Sequence, residues 1–263
     1  MTTQAVGARA GAAVSVRNTA TLAWRTLVQI KHNPFELIDF SVQPIMFLVL
    51  FTYVFGGAIA GSTSEYLAFG LPGIIVQNML FATMNTGVGL NTDISKGVFD
   101  RLRSLPISRF SPLAGRILAD VIKQAWAIGL LLVVGTILGF RIQTGPLEVI
   151  GAFALLLLFA FAASWMSVLV AMLVSAPEKV QIFGFALLFP LTFASNAFAP
   201  TSTMPGWLQA WVKVNPVTIL ADAVRGLFNG GPIATPVTQS LIWAAILLVV
   251  FAPLSVWAFR RRT

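Results

Sequence analysis

Between residues 93 and 120 the chain reads DISKGVFDRLRSLPISRFSPLAGRILAD, a stretch that carries Lys96, Arg101, Arg103, Arg109 and Arg116. Their guanidinium and ammonium groups are interleaved with Val98, Phe99, Leu102 and Leu105. The chemistry this offers is recognition, through ion pairs set beside apolar anchors. It is not bond-making, which needs a cluster of acids, histidine or metal ligands. The only histidine is His32, and with no cysteine there is neither a disulfide framework nor a thiolate metal site. These residues also contain no G-x-x-x-x-G-K-[ST] loop to cradle nucleotide phosphates.

Local pattern says how these groups are held. Ile94, Val98, Leu102 and Leu105 recur at i, i+4, i+8 and i+11, one apolar stripe of a helix. Asp93 can cap its start and Pro106 ends it. Asp100, Arg101 and Arg103 lie off the stripe. Ser111-Pro112 then opens a second helix, serine as cap and proline in the first turn. On that helix Arg116, Asp120 and Lys123 share one face. A carboxylate near the membrane has to be paired, so the face reads as an ion-pair network at a helix end.

Long apolar runs flank this segment, at 67–90 and 125–140. The chain is 57% hydrophobic and 10% charged, with mean hydropathy +0.85. A soluble domain carries about 25% charged residues, so lipid is part of this chain's solvent. A crossing helix needs about 20 mostly apolar residues, and stretches 41–60, 67–90, 121–140, 149–174, 180–198 and 237–259 qualify. Residues 1–15 lack the apolar core of a cleavable signal peptide.

The net charge of +8 gathers at the ends of apolar runs, which is an orientation signal and not a nucleic-acid footprint. Six spans with the N-terminus inside leave only Arg141, Lys213 and Arg225 among the basic residues outside. Both termini are therefore expected in the cytoplasm. Residues 19–33 form an amphipathic pattern that Pro34 stops, with Ala20, Ala23, Trp24, Leu27 and Ile30 on one side. It fits a helix lying on the inner leaflet or a soluble tail helix.

The connection 199–236 is too long for a bare loop. Pro205 and Pro216 can each start a helix, and Asn229-Gly230-Gly231 ends the second. Two short helices dipping back into the membrane would cap an outward path; an interfacial hairpin would have the same pattern. Asn78, Asn85 and Asn91 dot the second span, and Phe183, Phe185, Phe189 and Phe193 line the fifth near Ser195 and Asn196. Such polar groups either bond neighbouring helices or meet cargo, with Asn78, Asn85, Phe189, Phe193 and Asn196 as the candidate path.

The run Asp100-Arg101-Leu102-Arg103-Ser104-Leu105-Pro106-Ile107-Ser108-Arg109, with Gly115-Arg116 and Ala119-Asp120, resembles the signature of ABC-2 type transporter permeases, closest to their daunorubicin-resistance, drug-export branch. Asn215-Pro216-Val217-Thr218 and Ala221-Asp222-Ala223-Val224-Arg225 are similar to that family as well. The resemblance implies that the segment 93–106 is a coupling helix seated in a cleft of a separate ATPase subunit. On this chain the residues are Gly97, Val98, Phe99, Asp100, Arg101, Leu102, Arg103, Leu105 and Pro106, with Glu178 and Lys179 as a second, smaller contact. From the residues alone, the same helix could instead bind anionic lipid.

The resemblance further implies a transport subunit and no enzyme, with ATP and magnesium on the partner and no cofactor here. A second permease, identical or homologous, would complete the path. The cargo would be a hydrophobic or amphipathic drug or, alternatively, a lipid or glycolipid. An ion-coupled secondary transporter would need an acid or base at a span centre, and none stands there; Asp120 and Lys123 lie near one end. The expectation is thus one all-α integral membrane domain over residues 1–263. It has six transmembrane helices, an interfacial helix at 19–33, a coupling helix at 93–106 and re-entrant outer helices within 199–236.

Overall fold

A computed structural model of the chain describes residues 17–24, 28, 35–98 and 110–262. Residues 17–24 are helical. Then follow α1 (Phe35–Leu50), a π-helical turn (Phe51–Phe55), α2 (Gly56–Ala60), α3 (Thr63–Ser95), α4 (Phe110–Ile137), α5 (Pro146–Leu173), α6 (Pro177–Phe193), a 3-10 turn (Thr201–Thr203), α7 (Gly206–Val214), α8 (Pro216–Asn229) and α9 (Ala234–Arg262). Among the described residues five helical stretches are long and apolar enough to cross a membrane: Ser41–Ala60, Thr63–Ser95, Ser111–Ile137, Pro146–Leu173 and Ala234–Arg262.

The helix ends follow ordinary capping chemistry. Ser62 accepts a hydrogen bond from the Glu65 backbone N–H at 3.2 Å and so starts α3. Prolines stand in the first turn of α5, α6 and α8, where their missing N–H is no loss. Asn215 caps α8 by accepting from Val217 N–H at 2.8 Å, and Gly230, at φ +83°, closes it.

The centre of the bundle is α3. At about 1.5 Å per residue, its 33 residues run well past the apolar core of a bilayer. It packs against α4, α5, α6 and α8. One core joins Leu71, Ile74 and Ile75 of α3 with Leu156 and Phe159 of α5 and Leu220, Val224 and Phe228 of α8. A second, toward the C-terminal end of α3, joins Leu90 with Leu113 and Ile117 of α4, Trp165 and Met172 of α5, and Phe259 of α9. At Gly73 an added Cβ would stand 2.0 Å from the Ala197 carbonyl oxygen. Only glycine lets α3 pass this close to the chain beyond α6.

The expected fifth span, 180–198, is shifted and shortened. Here α6 ends at Phe193 after 17 residues, and residues 194–200 are not helical. The reason lies in the connection 199–236. Asn215 donates its side-chain amide to the Leu191 and Ala194 carbonyls, each at 2.8 Å. Thr218 Oγ1 accepts from Asn196 N–H at 3.2 Å. Side chains from α7–α8 thus take over backbone groups that another helical turn would have used. Both helices expected from Pro205 and Pro216 form, as α7 and α8.

Candidate functional site

The N-terminal end of α4 holds the charges together. Asp120 Oδ2 accepts from Arg116 Nε at 3.1 Å, and Lys123 Nζ lies 3.4 Å from Oδ1. Asp120 and Lys123 are 2% and 4% exposed, so these charges have traded water for each other. Arg116 also reaches Asp93 of α3, Nη1 to Oδ2 at 3.5 Å. Gly89 makes room for this: a Cβ there would lie 1.9 Å from Arg116 Nη2. The triplet expected from its i, i+4, i+7 spacing is therefore one network, extended by a residue from the neighbouring helix.

Of the expected coupling residues, Gly97 turns the chain at φ +68° just past α3, and Val98 follows, half-buried. Phe99, Asp100, Arg101, Leu102, Arg103, Leu105 and Pro106 lie outside the described residues. Glu178 and Lys179 stand exposed in the first turn of α6. Lys179 Nζ is 3.2 Å from Ser175 Oγ.

Asn78 and Asn85 lie on one face of α3 with Phe81 between them at i, i+3 and i+7. Asn78 and Phe81 are half-buried and Asn85 is exposed, although most of α3 is covered. Phe81 meets Phe185 of α6 edge to face at 5.7 Å. From there rings follow one another along Phe185, Phe189 and Phe193, at 5.1 and 4.4 Å. The row continues through Phe198 at 5.0 Å and Phe51 at 4.7 Å, spacings at which aromatic rings attract. Beneath it α6 is held by one buried stripe, Val180, Gly184, Leu188 and Thr192. Phe185, Phe189 and Phe193 remain exposed.

Asn196 stands apart from that face. It is buried and donates to Asp222 Oδ1 at 2.8 Å. It belongs to a second network, centred on Arg225. Arg225 Nη1 pairs with the same Asp222 oxygen at 2.9 Å, Nη2 donates to the Asn196 carbonyl at 2.7 Å, and Nε donates to the Phe69 carbonyl at 2.9 Å. Burial pushes the Arg225 pKa down from its ordinary value, and the charge and hydrogen bond of Asp222 pull it back. Asn229 donates to the Ala68 carbonyl at 2.6 Å, and Thr144 to that of Leu227 at 2.6 Å. The Asp222–Arg225 pair was legible from its spacing. The reach of Arg225, Asn215 and Asn229 to distant carbonyls was not, because nothing local to these side chains says which carbonyls the fold brings beside them.

The arrangement is a multi-span helical bundle with a charged grip at one end of its central pair and an aromatic, amide-bearing face left open along its side. Residues 17–229 match the ABC-2 type transporter family, and the chain belongs to it. It is 43% identical over 261 residues to the daunorubicin resistance ABC transporter permease protein DrrB1 of Streptomyces coeruleorubidus, covering 99% of this chain and 92% of the relative. It is 25% identical over 232 residues to the doxorubicin resistance ABC transporter permease protein DrrB of Mycobacterium tuberculosis, covering 85% and 78%. The chain is a membrane permease of the ABC-2 type.

Proposed function

We propose that this chain is the membrane subunit of an ATP-driven exporter that moves hydrophobic or amphipathic compounds, drugs of the daunorubicin kind first among them, out of the cell. One observation carries the reading beyond family membership: the open face formed by Asn78, Phe81 and Asn85 with the phenylalanine row of α6. A side-chain amide turned outward along a span gains no hydrogen bond from lipid. It is accounted for when the face looks onto a second permease and a path between the two. The amides would then hold polar groups of a cargo whose fused rings stack on Phe189 and Phe193.

In this arrangement the bundle crosses the cell membrane six times, with α6 and residues 194–200 together making the fifth crossing and both termini in the cytoplasm. Helices α7 and α8 dip back as a re-entrant outer cap. Residues 97–106, with Glu178 and Lys179, receive an ATPase subunit that binds ATP and magnesium. The names of both relatives, each a drug-resistance permease, support the cargo class.

The test separates docking from insertion. Arg101→Glu and Leu102→Asp should abolish co-purification of the ATPase subunit while the chain still inserts. Cells expressing these variants with the ATPase should accumulate daunorubicin. Normal binding and efflux in both would show the coupling assignment to be wrong.

A further inference from the structure

The inner end of α3 carries two side chains that the transport path does not use. Asn91 is fully buried. Its Nδ2 donates to the carbonyls of Ala171 and Val174, both at 2.9 Å. These belong to the last turn of α5 and its cap, where carbonyls lack a partner within the helix. The Ala171 carbonyl also accepts from Arg262 Nη1 at the end of α9. Two residues further along α3, Asp93 meets Arg116 of α4. Within one turn, α3 is therefore tied to α5 on one side and to α4 on the other.

The helices joined this way are the stems of two connections at the same end of the bundle. Helices α3 and α4 carry the segment 96–109, and α5 leads through 174–176 into α6. We propose that Asn91 and Asp93 are positioning residues that clasp these two connections into one body, so that a push on either moves both. The proposal rests on the reading above that both connections touch the ATPase. An asparagine suits the task because its amide has two donors, one for each carbonyl. Aspartate could supply neither, and leucine would fill the space without the bonds. Asp93, half-exposed at the helix end, can pair with Arg116 without being deeply desolvated.

The chain has no cysteine, so Ser95→Cys and Ser175→Cys, both at exposed positions, give specific sites for spin labels in the full-length protein in liposomes. The labelled protein should show a narrow distance distribution, and Asn91→Leu should broaden it. With the ATPase subunit present, Asn91→Leu and Asp93→Asn should keep ATPase binding yet export less daunorubicin per ATP hydrolysed. The expected loss is about fivefold for Asn91→Leu, the factor by which losing one hydrogen bond lowers the population of the clasped state. Asp93→Asn lies where folding is not at risk and guards against a trivial loss of structure. An unchanged distance distribution in Asn91→Leu, or unchanged export per ATP in both variants, overturns the clasp. Retained ATPase binding by Arg101→Glu and Leu102→Asp, by contrast, overturns the docking reading and leaves the distance result intact.

Discussion

The Arg225 guanidinium lies 3.9 Å from the centre of the Phe69 ring while its Nε donates to that same residue's backbone carbonyl at 2.9 Å. One arginine of α8 therefore grips both the side chain and the main chain of α3, 156 residues away in sequence. Its planar fork lets Nη2 serve the Asn196 carbonyl as well.

Arg225→Ala should loosen the half of the bundle around α8. Hydrogen bonds to a charged group are worth about 1.5–3 kcal/mol each, and the carbonyls left behind are partly buried. In a domain of about 250 residues this lowers the melting temperature by about 5 °C or more. Arg225→Lys should not restore it, since a lysine offers a point charge and no fork. Thermal unfolding in detergent, followed by size exclusion, reads both.

Two glycine substitutions should move in opposite directions. Gly73→Ala drives a methyl against the Ala197 carbonyl, whereas an added Cβ at Gly129 meets nothing within 4 Å. Gly129→Ala should gain about 0.5–1 kcal/mol from helix propensity alone. Gly73→Ala should lose stability and expose the α7–α8 hairpin to added protease. Equal melting temperatures for the pair would contradict the close approach.

In the charge network of α4, Asp120→Asn should be more damaging than Lys123→Met. Asp120 serves two cations, and neutralising it takes the shared carboxylate from between Lys123 and Arg116, which keeps Asp93. Removing one member of a buried ion pair costs about 3–5 kcal/mol. Lys123→Met leaves Asp120 with Arg116. The yield of monodisperse protein from membranes, compared for the two variants, checks the order.

Asn85→Leu should raise neither stability nor yield by much, because the side chain is exposed, but it should reduce drug efflux if the amide faces cargo. Phe189→Ala and Phe193→Ala should weaken efflux of fused-ring compounds more than of flexible ones, since stacking is lost. Uptake assays with a planar and an aliphatic cationic dye distinguish these outcomes.

Much of this could be read from residue order, and the rest fails for identifiable reasons. The long apolar runs announced α3, α5 and α9, and the prolines at 205 and 216 announced α7 and α8. Arg116, Asp120 and Lys123 could be paired on paper because a helix places them on one face. The length of α6 could not be read this way. Its run of apolar residues continues through Phe198, but Asn215 and Thr218, more than 20 positions on, remove the incentive for the helix to continue. Asn91 reads as one more polar residue in a span. Its meaning depends on two carbonyls about 80 positions away, and carbonyls have no signature in a sequence.

The π-helical turn at Phe51–Phe55 has a consequence of its own. A wide turn holds one residue more than the regular helix on either side can place in phase, as though a single amino acid had been slipped into an older span. The part of the first span below it and the part above it therefore keep separate registers. Removing one residue between Thr52 and Val54 would rejoin them, rotate everything upstream by about a quarter turn relative to Phe198, and draw Phe51 out of line with the Phe55 and Phe198 rings it now touches. A one-residue deletion, which elsewhere in a membrane helix would wreck the packing, should here yield an intact, inserted protein with a shortened aromatic row.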